Sequence, residues 1–302
     1  MKNIIPALLS ITIGFALSFF GLNTFFSDTV KNDTIKTISK EVVVAKKEIP
    51  KEKEAEAPTE AANTNNAVKG VNTGINLTNI QESFSNWNSY HRENIDLMST
   101  FIALDDKGIV MDKGIFLTLL RTGAYISVKS EKEGKIQYQL VTVKKSTDEK
   151  IKKGIVSKAT IAHHYFKMEG KKLPSYDFVD LDGNSHNKED TKGKLLVLKC
   201  WFITCKVCVE EFPQLNELVE KYKDNNVDFV SLAFDEKDKL IKFLETKTFK
   251  YVTVPNQKKY MSKKLKVKQY PTHLIVDSRG VIIKMVSNVK TLTYELNRIL
   301  GK

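Results

Sequence analysis

Residues 192–218, KGKLLVLKCWFITCKVCVEEFPQLNEL, decide the fold. Their first part, 195–202, is a continuous apolar run broken only by Lys199, which fits a strand buried on both faces of a sheet. Beyond the cysteines the period changes: Phe212, Leu215, Leu218, Val219 and Tyr222 make one apolar helix face. Cys205-Lys206-Val207-Cys208 therefore sits where a strand hands over to a helix. A CxxC pair can also bind metal, but zinc usually takes four ligands and no second pair exists. At a strand-to-helix turn, the free N–H groups and dipole of the helix stabilise a thiolate on the first cysteine, and Lys206 adds a neighbouring cation. Cys208, one turn on, is placed to close a disulfide and to be less accessible. Cys205 is expected to be the nucleophile and Cys208 the resolving thiol.

Around this stretch, short β runs alternate with helical ones. Strands are predicted over 176–181, 227–234, 251–254, 272–277 and 281–286, and helices over 237–247 and 291–300. The last two strands join through Ser278-Arg279-Gly280, an antiparallel pair closing an α/β order.

Four segments, LPSYDFVDLDGN (173–184), the stretch quoted above, VDFVSLAFDE (227–236) and YPTHLIVDSRGVI (270–282), resemble the TlpA/ResA-type thiol-disulfide oxidoreductases of the thioredoxin superfamily. The resemblance covers about residues 172–300. It implies a thioredoxin-like fold, a central mixed sheet flanked by helices, with Cys205 and Cys208 as the redox-active disulfide. Trp201 matches the family's tryptophan four residues before the first cysteine. Glu211 matches an acidic residue used near the active site, and Pro271, after Tyr270, matches the cis-proline beside the disulfide. Glu211 is expected to exchange a proton with Cys208 without being essential to the fold. Trp201, Lys206 and Tyr270 are expected to shape the site. Thr204 and Lys206-Val207 depart from the usual residues before and within the pair, positions that help set potential and partner contacts. Lys199 falls where cytoplasmic thioredoxins carry a buried acid; its charge is expected to reach solvent. Cys200 reads as a small core hydrophobe.

The rest of the 302 residues divides by texture. Residues 4–26 carry no charge and would form a helix about 34 Å long, enough to span a membrane. The run is longer than a cleaved signal's apolar region and lacks small residues at its end, so 1–27 is expected to be a single-pass anchor or signal segment. With the N-terminus in the cytoplasm, the catalytic domain would face the periplasm or cell exterior from the cytoplasmic (inner) membrane. Residues 28–76 read as a flexible linker, poor in large apolar groups from Lys46 to Gly74. Residues 77–168 are expected to form a small α+β module, opening with a helix through Ile80, Phe84, Trp87, Tyr90 and His91, and 169–302 the thioredoxin-like domain. Adjacent His163 and His164 point in different directions and make no metal pair.

The charge of +12, from 48 Lys+Arg against 36 Asp+Glu, raises nucleic acid as a partner. Only Arg92, Arg121, Arg279 and Arg298 are arginine, the residue favoured for bidentate phosphate and base contacts, and the lysines are scattered, so a solvated basic surface is the better reading. Three cysteines within nine residues exclude a disulfide-framework protein. The expected function is reduction of disulfides in client proteins, including apocytochromes by family analogy, with a membrane electron donor for re-reduction and neither cofactor nor metal. A peroxiredoxin fits poorly, since Phe202 stands where its signature needs threonine. A copper-binding assembly factor, drawing on His273, usually has three residues between its cysteines. A redox-silent scaffold stays open as a further alternative.

Overall fold

The structure, a computed structural model, describes residues 77–302. The expected anchor (1–27) and linker (28–76) lie outside the described residues. Among the described residues no helix is long and apolar enough to cross a membrane.

Helices α1 (Leu77–Glu82) and α2 (Phe84–Asn94) replace the single helix expected here. The break is Ser83, whose hydroxyl accepts the Asn86 N–H at 3.1 Å and caps α2. A four-stranded sheet follows from β1 (Ile102–Leu104), β2 (Val110–Met111), β3 (Tyr125–Lys132) and β4 (Lys135–Thr142), in the order β2-β1-β4-β3. The β3–β4 turn places Glu133 and Gly134 at φ 54° and 70°, the two positive values that match the twist of the flanking strands. Helix α3 (Lys113–Leu120) lies between β2 and β3, and α4 (Glu149–Phe166) follows β4. Helix α4 has no counterpart among the sequence expectations. Its buried face is Ile151, Ile155, Ala159, Ala162 and Tyr165, and the two alanines give little apolar signal.

The remaining elements are a small hairpin of β5 (Asp177–Val179) and β6 (Ser185–Asn187), then β7 (Leu195–Trp201), α5 (Lys206–Glu210), α6 (Phe212–Tyr222), β8 (Val227–Ala233), α7 (Lys237–Leu244), β9 (Val252–Val254), a π-helical turn (Tyr260–Lys264), β10 (Thr272–Val276), β11 (Ile282–Val286) and α8 (Val289–Leu300). Five of the strands form one sheet in the order β11-β10-β7-β8-β9. Strands β7, β8 and β9 run parallel, while β10 is antiparallel to both β7 and β11. This is the mixed sheet of a thioredoxin-like fold, with β7 at its centre and every residue from Leu196 to Trp201 buried.

One apolar cluster runs from Trp87, Phe116 and Ile155 to Val197, Leu274 and Leu292. Polar ties accompany it. Asp96 accepts from the Thr291 hydroxyl and, at 3.2 Å, from Asn288, and the fully buried Glu295 accepts the Thr100 N–H at 2.8 Å.

Packing of α2 on α4 depends on a missing side chain. A Cβ on Gly154 would stand 2.5 and 2.6 Å from two ring atoms of the buried Trp87. Gly154→Ala should therefore destabilise the protein by about 1–3 kcal/mol, seen as a lower urea midpoint at unchanged slope. An unshifted midpoint would show that Trp87 can leave α4 without cost.

Candidate active site

Strand β7 ends at Trp201, and the next four residues turn the chain into α5. Two hydrogen bonds shape that turn: Ile203 N–H donates to Asp235 Oδ2 at 2.8 Å and Cys205 N–H to the Phe202 carbonyl at 3.0 Å. Cys205 caps α5, with Sγ 3.3 Å from the Cys208 N–H. The two cysteines are joined as a disulfide with Cα atoms 5.3 Å apart. Cys205 is partly exposed and Cys208 fully buried, the asymmetry expected for attacking and resolving sulfurs. Helix α5 passes into α6 through Glu211, whose φ of −80° and ψ of −13° remain helical. Pro213 marks the join, because it lacks the N–H that would close the ladder onto residue 209.

Around the pair, Trp201 is fully buried and meets Phe212 edge-on at 5.0 Å, in a cluster that includes Cys208 and reaches Cys205. The Tyr270–Pro271 bond is cis, and Pro271 is buried. The Tyr270 ring stands on edge against Phe202 at 5.5 Å and Phe234 at 5.0 Å. Lys206 is exposed and 3.7 Å from Glu210, a surface pair of little energetic weight. Cys200 lies fully buried on β7, where burial pushes its thiol up to about 12 and keeps it a core hydrophobe.

Lys199 corrects the sequence reading. Its ammonium does not reach solvent: the residue is 0% exposed, and Nζ lies 2.6 Å from Glu211 Oε2. Its cross-strand partners are His273 on β10 and Ser231 on β8, and the Phe212 ring lies 5.9 Å from the ammonium, so the chain supplies an anion in place of water. The same Glu211 oxygen meets His273 Nε2 at 3.1 Å, and Oε1 accepts the Val289 N–H, the first of α8, at 2.9 Å. Glu211 thus joins β7, β10 and the start of α8 at the α5–α6 junction. Burial works against its charge, but His273 and Lys199 outweigh it and hold the carboxyl at about 2. Burial and the nearby Lys199 keep His273 below its ordinary value. An ionised carboxylate only accepts, so a neutral His273 donates through Nε2, leaving its buried Nδ1 without a partner. Glu211 is a satisfied member of a buried charge network. The available signal was Lys199 itself: a lone cation in an otherwise apolar strand requires an anion nearby in space, although nothing in the spacing says which one.

Removing the cation leaves Glu211 in an apolar setting with only His273 and one N–H. Lys199→Met should cost about 3 kcal/mol at pH 7. A lowered folded value means that Glu211 stabilises the protein above its unfolded value, 4.5, and that this contribution fades as pH falls toward about 2. Without Lys199 the folded value rises toward or past 4.5, so this acid-side loss should shrink or reverse. Urea unfolding of both proteins from pH 3 to 8 checks this, and curves of equal height and shape would remove the ion pair from the account.

Comparison with known proteins agrees with the geometry. The AhpC/TSA family profile matches residues 169–285. The thiol-disulfide oxidoreductase ResA of Bacillus thuringiensis subsp. konkukian is 33% identical over 138 residues, which are 44% of this chain and 80% of that protein. Thioredoxin-like protein YneN of Bacillus subtilis is 31% identical over 118 residues, 38% of this chain and 68% of that one. A solved thiol-disulfide oxidoreductase from Bacteroides fragilis superposes with a TM-score of 0.40 at 19% identity, covering 43% of this chain and 99% of its own. A Cys205–Cys208 disulfide at the head of a helix beside the central strand of a thioredoxin-like sheet, on a sequence shared with four-fifths of a ResA, places this chain in the ResA family of thiol-disulfide oxidoreductases.

Proposed function

We propose that this oxidoreductase works as a reductase of disulfides in client proteins, held at the outer side of the cytoplasmic membrane by its N-terminal segment. The observation that carries the reading is the asymmetry of the pair, a partly exposed Cys205 at a helix start above a buried Cys208. In the reduced protein the Cys205 thiolate attacks a client disulfide, forming a mixed disulfide and releasing one client thiolate. Cys208 then gives up its proton and attacks Cys205 Sγ. The Cys205–Cys208 bond forms, the second client thiolate leaves and is protonated, and two electrons have passed to the client. Restoring the dithiol takes two electrons and two protons from a membrane donor.

Other residues serve the pair. Trp201 and Phe212 pack in one cluster with Cys208, and Tyr270 packs against that cluster. Glu211, three residues beyond Cys208, holds its negative charge through the working pH range because Lys199 and His273 hold it there. Its role is thus to fix the charge behind the resolving thiol. The apolar run at 4–26 supports the membrane placement, and by family analogy alone the clients include apocytochromes awaiting haem.

In the reduced protein, iodoacetamide should label Cys205 before Cys208 and Cys200, since it alone of the three is partly exposed, at a helix start. Cys208→Ser should accumulate client mixed disulfides through Cys205, and Cys205→Ser should abolish insulin reduction. The couple's reduction potential fixes the direction: a value near about −270 mV belongs to a reductase, whereas one near about −120 mV would make the protein an oxidant and overturn this reading.

A further inference from the structure

The family profile begins at residue 169, so α4 and the sheet before it lie outside that match. Helix α4 nevertheless reaches the loop that borders the cysteine pair. Residues 266–272 run into β10, and Tyr270 within them packs on Phe202, whose carbonyl accepts the Cys205 N–H. Where this loop lies therefore sets one wall of the site. Part of its backbone is held from outside. Lys266 adopts φ 53°, a left-handed conformation that side-chain-bearing residues take only when their surroundings enforce it, and the N–H groups of Lys268 and Gln269 are satisfied from outside the loop.

The outside partners are three side chains that precede residue 169. The hydroxyl of Tyr165, a fully buried residue, accepts the N–H of Lys268 at 3.0 Å and that of Gln269 at 3.3 Å. It also meets the Thr272 hydroxyl at 2.9 Å. The direction follows from the neighbours: Thr272 donates to the Gln269 carbonyl at 2.7 Å, so Tyr165 donates to Thr272. One phenol makes three hydrogen bonds, all to this loop. Beside it, His164 Nε2 lies 3.0 Å from the carbonyl of Lys266, the residue with the left-handed backbone. The Met98 sulfur accepts from Gln269 Nε2 at 3.9 Å.

We propose that Tyr165 is a positioning residue for thiol-disulfide exchange: its hydroxyl ties the loop 266–272 to α4 and holds it ready for the client chain beside Cys205, with His164 as a second hold. Tyr165 makes no bond to the cysteines. Releasing the loop would charge client binding with the entropy of ordering it, while leaving the sulfur chemistry as it is. The inference rests on client proteins being the substrate, as proposed above.

Tyr165→Phe keeps the buried ring and removes only the hydroxyl, and His164→Ala removes the second hold from a partly exposed position. In the full-length protein, Tyr165→Phe should speed hydrogen exchange at the Lys268 and Gln269 amides by about tenfold. It should raise KM for insulin about threefold to tenfold, with kcat and the Cys205–Cys208 potential near wild type. His164→Ala should act the same way, more weakly, and it stands in if Tyr165→Phe does not fold. Unchanged exchange at these amides overturns the clamp. Faster exchange with an unchanged KM overturns the positioning role, as does a parallel fall in kcat and shift in potential. A wild-type protein inactive on insulin would count against the reductase reading, and amide exchange would still decide the clamp.

Discussion

A single carboxylate holds the active-site end of this protein together. Glu211 takes an ammonium from the central strand, an imidazole from the neighbouring antiparallel strand and the first N–H of the last helix. Each donor comes from a different element, so the contacts exist only when the sheet, the α5–α6 junction and α8 are assembled. Burying a lysine in the middle of β7 is unfavourable by itself and tolerable only with its anion in place. The packing of the strand and the charge of the site are thus one constraint.

The same constraint shapes the chemistry. A buried acid free to bind and release a proton could shuttle it to a departing thiol. Glu211 is instead ionised and fully engaged, which makes it a fixed charge. Cys200, five residues before Cys205, is buried alongside, and burial raises its thiol to about 12.

The second set of contacts runs between the residues before and after 169. Tyr165, His164 and Met98 reach the loop before β10, Asp96 caps onto the start of α8, and Thr100 binds the buried Glu295. These contacts involve backbone N–H groups and side-chain oxygens rather than apolar area alone, so they specify position as well as adhesion. Helix α4, with Met98, meets the site through this loop.

Much of the redox half could be read from the sequence. The apolar run ending at Trp201, the helical spacing from Phe212 to Tyr222 and the CxxC between them determine a buried strand, a helix and a cysteine pair at their junction, because burial on two faces and on one stripe leave different periods. The order of the later strands and the antiparallel closing pair followed from the same periods. Three things were settled only by tertiary structure. Whether Lys199 met water or an anion depended on Glu211 and His273, 12 and 74 residues away, arriving at the same face of the sheet. Helix α4 was invisible because its buried stripe includes small alanines, which report packing against neighbours rather than hydrophobicity. The link from Tyr165 to the loop before β10 spans more than 100 residues, and a single hydroxyl making three hydrogen bonds leaves no pattern along the chain. Periodicity encodes which way a residue faces, whereas pairing across the fold is a property of what the other elements bring to meet it.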